Sequence, residues 1–202
     1  MSSDIAISNL ALGHVGDAAK VSALNGTDGS LQASHCARLL PFAKGMAFEA
    51  HDWGFATRRA LLAEMVVDAD VYSDAEYAYA LPTQCARIIG LTNSTDTDFP
   101  YRVESKDDGI RILLTDCPPS EAYLRYVYRL DDATKYTTDF VIYLSYVLAG
   151  LLAGPLRKAD KVKDLEARAR ETLVRAAGTD SNVDSYQRHK RAEYRPPWIR
   201  GR

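Results

Sequence analysis

Residues Ala122-Tyr-Leu-Arg-Tyr-Val-Tyr-Arg-Leu130 decide the fold class of this 202-residue chain. Leucine and tyrosine occupy every second position, at Leu124, Tyr126, Tyr128 and Leu130. The positions between them hold Tyr123, Arg125, Val127 and Arg129. A period of two places the two sets on opposite faces of a β-strand. We therefore predict a sheet in the middle of a chain whose two ends have helical patterns.

Other strands are predicted before this one. Tyr101–Ser105 and Ile110–Thr115 flank an Asp-Gly pair ending at Gly109, which is a hairpin signal. Glu76–Pro82 alternates around two tyrosines, and Cys85–Leu91 follows a proline turn. Together these segments predict one small antiparallel sheet within residues 56–136.

Capping residues in the N-terminal part of the sequence predict two helices. Asp4 is a candidate cap for a short helix over Ile5–Leu12, ended by Gly13–Gly16. Ser30 is a candidate cap for a second helix that contains Pro41 and Gly45. Because an interior proline costs about 3 kcal/mol, we expect a kink or break near residues 37–41. The aromatic residues after this helix, together with two residues of the strand region, are assigned to the structural core: Trp53, Phe55, Tyr79 and Pro82.

The C-terminal part predicts two further helices. Thr137 or Thr138 opens the first, whose residues 140–152 are apolar on most of the circumference and must be buried. Gly154-Pro155 ends it, and a second helix runs over 156–177 with Gly178 as its C-cap. Its apolar seam is thin, so it is a candidate contact with another copy of the chain as well as with its own domain. The candidate subunit-interface residues are Val162, Leu165, Ala169 and Leu173.

The last fifteen residues, 188–202, hold six Lys/Arg against one Glu, a Pro-Pro pair and two aromatics. The prolines favour an extended path, and so much positive charge cannot be buried without partners. Tyr, Trp and Arg are the residue types that anchor interfaces. We predict an arm that binds another molecule, although terminal segments are also often without fixed structure.

The predicted fold is therefore α+β: a helical bundle with an inserted small antiparallel β-sheet and an extended C-terminal arm. Residues 1–55 and 137–178 form the helical core, 56–136 the β region and 179–202 the basic arm. Residues 1–136 carry 12 Lys/Arg and 19 Asp/Glu, whereas 137–202 carry 13 and 8. Opposite charge at the two ends suits head-to-tail contact between copies or contact with two neighbours.

Composition argues against several other classes of protein. No apolar run approaches the roughly 20 residues that span a bilayer, and the N-terminus lacks a signal-peptide pattern. The three cysteines and four histidines have no metal-ligand spacing, and the aspartates form no calcium loop. No nucleophile or nucleotide-binding motif is present. We predict a protein without catalytic residues, metal or cofactor, used in a cytoplasm-like compartment.

Several motifs together resemble the head-to-tail connector adaptors of tailed bacteriophages, the group that includes the tail tubular protein A of short-tailed phages. The most telling are Trp53-Gly-Phe-Ala-x-x-Arg59-x-x-Leu62 and Tyr77-Ala-Tyr-Ala-Leu-Pro82-x-x-Cys85-x-Arg87-Ile88. Further similar segments are Ile5–Gly13, the helix with Ala37–Met46, the strand Tyr126–Leu130 and the helix pair around Ala149. Pro41 and Gly45 depart from a helix that is expected to be continuous in such proteins.

The resemblance implies a virion protein at the head–tail junction, assembled in the host cytoplasm. Such adaptors form rings, usually of twelve copies, that bind the portal protein above and a tail nozzle or tail-tube protein below. DNA passes through the channel without specific binding, and no membrane is involved. By the same resemblance the C-terminal arm reaches the portal, through Tyr194, Arg195, Pro196, Pro197, Trp198, Ile199 and Arg200.

Two other functions remain open from the sequence. One is a nucleic-acid-binding packaging factor that uses the basic C-terminal tail. The other is a small hydrolase that uses Cys36 or a pair of aspartates, for which the sequence offers no motif.

Overall fold

The computed structural model describes residues 2–67, 72, 75–106 and 109–191, with side chains as far as residue 181. It confirms the α+β class. The helices are α1 (Asp4–Val15), α2 (Leu31–Glu49), α3 (Thr138–Ala153) and α4 (Val162–Arg191). The strands are β1 (Thr57–Leu61), β2 (Tyr77–Ala80), β3 (Cys85–Thr92), β4 (Arg102–Ser105), β5 (Arg111–Thr115) and β6 (Tyr123–Tyr128). Short 3-10 turns cover Gly54–Ala56, Ala133–Lys135 and Ala159–Lys161.

The chain divides into a helical unit and a sheet unit. The helical unit contains α1, α2 as far as Ala43, α3 and α4, and the sheet unit is Lys44–Lys135. The predicted boundary lay at residues 55/56, whereas the division falls inside α2. The end of α2 is tied to the strands by Arg87 of β3, which donates from Nη1 to the carbonyl of Glu49 at 3.1 Å.

Helix α1 is capped by Ser3, not by Asp4 as predicted. The Ser3 hydroxyl accepts from the backbone N–H of Ala6 at 3.1 Å, while Asp4 is the first residue of the helix. Gly13 is not the end, because the helix continues to Val15. Gly16 ends it in the left-handed conformation, with φ +82°, which glycine adopts at little cost.

Helix α2 begins as predicted but does not break at Pro41. The Ser30 hydroxyl accepts from the N–H of Ala33 at 3.1 Å, and a single helix then runs to Glu49. Proline removes one N–H from the ladder at a cost of about 3 kcal/mol. Burial offsets that cost: Leu40 and Phe48 of the helix are buried, and each large apolar side chain contributes about 1.5–3 kcal/mol.

The strands form two antiparallel sheets where one was predicted. Their orders are β1-β6-β3 and β2-β5-β4. The strand that decides the fold class is the central strand of the first sheet, as its two-residue period suggests. The predicted hairpin is present as β4 paired with β5, and Gly109 has φ +79° in its turn. If each sheet stood alone, the apolar side chains of its central strand, β6 or β5, would be exposed on one face. Packing residues of both sheets into one cluster buries them. Leu124 of β6 and Leu113 of β5 are fully buried in one shared cluster.

Helix α3 is the centre of the helical unit. The Thr137 hydroxyl accepts from the N–H of Phe140, so the predicted cap is confirmed. Buried residues occur around most of the circumference because α3 packs against both α1 and α4. The helix ends at Ala153, before Gly154-Pro155. Across the described residues, no helix combines the length and apolar character needed to cross a bilayer.

Candidate functional site

The thin seam of α4 lies against α3 in the same chain. Leu165 and Ala176 are buried on this seam, and Val162, Ala169 and Leu173 are half-buried beside them. The seam was predicted to pack against another copy as well as its own domain; Leu165 packs against its own chain, and the contact with another copy stays a prediction. Val162, Ala169 and Leu173 are on the same covered side and offer little surface to a second copy.

The start of α4 differs from the prediction. Residues 156–161 form a turn and a 3-10 segment, so the helix begins at Val162. Lys161 fixes this turn by donating from Nζ to the carbonyl of Val15, at the end of α1, at 3.0 Å. The bond satisfies one carbonyl that the end of a helix otherwise leaves open. A lysine that caps a distant helix gives no periodic signal in the sequence.

Helix α4 extends beyond the end of α3, the helix against which it packs. Arg175 pairs with Asp139, in the first turn of α3, with Nη2 and Oδ1 3.8 Å apart. α4 then continues for sixteen residues to Arg191. At 1.5 Å per residue this is about 24 Å of helix beyond the level of that ion pair. The last turns of α4 therefore extend past the N-terminal end of α3.

Gly178 is not the C-cap that was predicted. The helix passes through it, and a Cβ at this position would meet no atom within 4 Å. A glycine inside a helix costs about 1 kcal/mol, much less than a proline, and does not by itself end a helix. Thr179 supports the next turn by donating its hydroxyl to the carbonyl of Arg175 at 3.2 Å.

The predicted arm, residues 179–202, is therefore not extended throughout. Residues 179–191 are helical and belong to α4. The residues predicted to bind the portal lie outside the described residues: Tyr194, Arg195, Pro196, Pro197, Trp198, Ile199 and Arg200. The sequence places them immediately after the protruding helix.

Trp53 and Phe55 occupy the turn between α2 and the first sheet. Trp53 is fully buried, and its indole N–H donates to the carbonyl of Ala47 at 2.8 Å. Ala47 is in the last turn of α2, where carbonyls lack helical partners. Phe55 is half-buried beside it, with the two ring centroids 6.1 Å apart. Trp53 thus fills the core and caps a helix.

Arg87 also caps the end of α2, from the surface of the protein. It donates from Nη1 to the carbonyl of Glu49 at 3.1 Å and from Nε to Asp52 at 2.7 Å. The Arg87 side chain therefore links β3 to the end of α2. The motif Cys85-x-Arg87 was noted in the sequence, but this role was missed, since thirty-eight residues separate arginine and carbonyl.

Tyr79 and Pro82 belong to the sheet unit. Tyr79 is fully buried, and its hydroxyl donates to the carbonyl of Cys117. Burial raises the pKa of the Tyr79 hydroxyl well above its ordinary value. Pro82 is half-buried in the turn before β3, where its carbonyl accepts from the N–H of Cys85 at 2.9 Å.

The residues with reactive side chains make structural contacts. Burial raises the pKa of all three thiols, so Cys36, Cys85 and Cys117 stay protonated at neutral pH. No group of three His, Cys, Asp or Glu side chains in the described part of the chain could hold a metal ion.

His14 of α1 makes one contact that resembles a catalytic pair. Its ring stacks on Tyr146 of α3 with centroids 3.9 Å apart, and Nε2 lies 3.1 Å from the Ser145 hydroxyl. That hydroxyl donates to the carbonyl of Ile142 at 2.7 Å. It must then accept from His14, and it is not activated as a nucleophile.

The described geometry therefore leaves the last turns of α4 beyond its packing against α3. No protein-family model matches the chain, and no curated protein matches it significantly.

Proposed function

We propose that this protein is a structural adaptor of the head–tail junction in a tailed bacteriophage virion. Copies of it form a ring, twelve by the resemblance, that joins the portal protein to the tail nozzle or tail tube. The observation that carries the proposal is the length of α4, which continues for sixteen residues beyond its ion pair with α3. A helix that outgrows its own bundle is suited to contact a second molecule.

The protruding helix gives the terminal segment a defined starting point. Arg191, the last residue of α4, lies about 24 Å beyond the level of Asp139, at 1.5 Å per residue. Residues 192–202 combine Tyr194, Trp198 and Ile199 with three arginines. Aromatic residues and arginine provide most of the energy at protein interfaces. We propose that these side chains enter the portal, with the arginines on acidic portal surface.

The sheet unit is acidic. An acidic surface suits a protein that lies next to DNA without binding the DNA. Residues 44–135 hold ten Lys/Arg and sixteen Asp/Glu, a balance of −6. Phosphate is attracted by lysine and arginine and repelled by carboxylates. An acidic wall would let DNA slide during ejection. The negative charge of the sheet unit supports the proposal that DNA passes the adaptor without specific contact.

Two truncated chains test the proposal. One ends at Arg191 and lacks only the terminal segment, and the other ends at Gly178 and also lacks the protruding helix. Both keep the seam of α4 against α3, so both should fold, as checked by circular dichroism. We expect the full chain to co-sediment with the portal of the same phage and neither truncated chain to do so. Co-sedimentation of the chain ending at Arg191 would show that the terminal segment is not the attachment.

The same variants test the packaging-factor alternative. The six Lys/Arg in residues 188–202 would give the free full-length protein a salt-dependent affinity for duplex DNA. Loss of that affinity in the chain ending at Gly178, which lacks all six, without loss of portal attachment, would favour the nucleic-acid function over the adaptor.

A further inference from the structure

An Asn-Gly pair lies in the loop between α1 and α2. Asn25 and Gly26 are both exposed, in a stretch without helix or strand. Gly26 has φ +87°, and a Cβ at this position would meet no atom within 4 Å. In the described part of the chain, its N–H donates to no backbone carbonyl. The backbone nitrogen that follows Asn25 is therefore accessible, and glycine leaves the chain free to bring it towards the asparagine side chain.

Two donors from Thr27 hold the side-chain carbonyl of Asn25. The Thr27 backbone N–H donates to Oδ1 at 3.2 Å, and the Thr27 hydroxyl donates to the same oxygen. Asparagine often turns the chain in this way, through its own side chain. Donors on a carbonyl oxygen stabilise the negative charge that develops there when a nucleophile attacks the carbon. The turn thus positions the amide of Asn25 and makes its Cγ more electrophilic.

We infer that Asn25 is a site of spontaneous covalent modification, at which the side-chain amide becomes a carboxylate. The Gly26 nitrogen attacks Cγ of Asn25, and the new N–Cγ bond closes a succinimide ring, a reaction favoured because both groups belong to one chain. The Cγ–Nδ2 bond breaks, and Nδ2 leaves as ammonia with the proton that the Gly26 nitrogen gives up. Water, the only co-reactant, then opens either ring carbonyl and gives aspartate or isoaspartate. Nothing is oxidised or reduced.

A second asparagine turn in the same chain provides an internal comparison. Oδ1 of Asn93 accepts from the N–H and the hydroxyl of Thr95 at 3.0 and 2.8 Å, and from the N–H of Thr97 at 2.9 Å. Asn93 thus has the two donors that Asn25 has, and one more. The residue after it is Ser94, whose Cβ crowds the nitrogen that would have to attack. A slower reaction at Asn93 would therefore isolate the effect of the glycine.

The conversion changes the connection that leads into α2. It adds one negative charge to the loop and, in isoaspartate, one CH2 group to the backbone. Three residues later, the Asp28 carboxylate accepts from the N–H and hydroxyl of Ser22 at 2.6 and 2.7 Å and from the N–H of Ser30 at 3.3 Å. The Ser30 hydroxyl caps α2. A longer backbone displaces Asp28, so isoaspartate weakens the network that holds the start of α2. None of this depends on the proposed adaptor function.

Peptide mass mapping of the full-length protein, stored in solution and sampled over time, tests the site. We expect the peptide with Asn25 to gain about 1 Da, as NH2 is replaced by OH, and to do so roughly tenfold faster or more than the peptide with Asn93. The rate should rise with pH, because the attacking nitrogen must lose its proton. Fragmentation of the product should identify both aspartate and isoaspartate.

Two variants separate the parts of the mechanism. Gly26→Ala places a methyl group beside the attacking nitrogen and should slow the conversion roughly tenfold. Thr27→Val keeps the shape of the side chain but removes the hydroxyl donor, and it should slow the conversion roughly threefold or more. Both positions are exposed and outside the helices, so both variants should keep the helix content of the parent protein.

Three results would overturn the inference. One is a rate at Asn25 no higher than the rate at Asn93. Another is aspartate without isoaspartate, which shows direct hydrolysis of the side-chain amide in place of a ring. The third is an unchanged rate in either variant, which removes that residue from the mechanism.

Discussion

The indole of Trp53 has two roles that substitution can separate. Trp53→Ala removes a fully buried aromatic ring and the donor to the Ala47 carbonyl, and we expect it to lower the free energy of unfolding by about 3–5 kcal/mol. Trp53→Phe keeps most of the ring but removes the donor, so the loss should be about 1–2 kcal/mol. Urea unfolding measures both. Equal losses for the two variants would show that the cap, not the buried volume, dominates.

The imidazole of His14 makes the stability depend on pH. Burial lowers the pKa of His14 below its ordinary value of 6.5. The unfolded chain therefore binds this proton more readily than the folded chain. The contribution is complete above pH 6.5 and is lost as the pH falls from 6.5 towards the lowered pKa. We expect weaker stability at pH 5 than at pH 7.5, and a smaller difference in His14→Gln. Identical pH profiles of unfolding would contradict the assignment to His14.

At the scale of the helix, replacing glycine by alanine should have opposite effects on stability at two positions, Gly178 and Gly16. Gly178 is inside α4 with open space around its Cβ position, so Gly178→Ala should stabilise the chain by about 0.5–1 kcal/mol. Gly16 has φ +82°, and a Cβ there would meet Lys161 Nζ at 2.6 Å. Gly16→Ala should therefore destabilise the chain by at least 1 kcal/mol. Thermal unfolding at low protein concentration, followed by helix content, gives both values. A loss of stability in Gly178→Ala would contradict the continuous helix.

Elements with local signals were predictable from the sequence. The hydroxyls of Ser30 and Thr137 cap the helices that they precede, and the Asp-Gly pair ending at Gly109 lies between two paired strands. Elements that depend on distant contacts were not. α2 continues through Pro41 because its buried side holds it, and α4 begins at Val162 because Lys161 bonds to the end of α1. Two sheets form where one was predicted, because Leu113 and Leu124 need a shared core.

The same division applies to the candidate site. Composition predicts a binding role for the C-terminal segment, because charge and aromatic content are visible without a fold, and that role stays a prediction. It left two neighbours open for the seam of α4, its own domain and another copy, because an apolar seam does not state which helix covers it.

At the scale of the whole molecule, attachment should depend on the terminal segment and folding should not. We expect Trp198→Ala to weaken portal docking by about 2 kcal/mol or more, as for an interface anchor, and to leave unfolding unchanged. Glu193→Gln, in the same segment, is the matched control and should not weaken docking. Affinity by co-sedimentation and stability by urea unfolding are the two measurements. An unchanged affinity in Trp198→Ala would remove that side chain from the attachment.

The part of α4 that extends beyond α3 also allows partner binding to be measured by hydrogen exchange. Backbone amides near Leu165 are shielded by α3, whereas those after Thr179 have only the helix itself to slow their exchange with deuterated water. In the free protein, residues 179–191 should exchange within the earliest labelling times. When a second molecule binds this part of α4, deuterium uptake by residues 179–191 should slow, and it should slow first in the turns nearest the bound end.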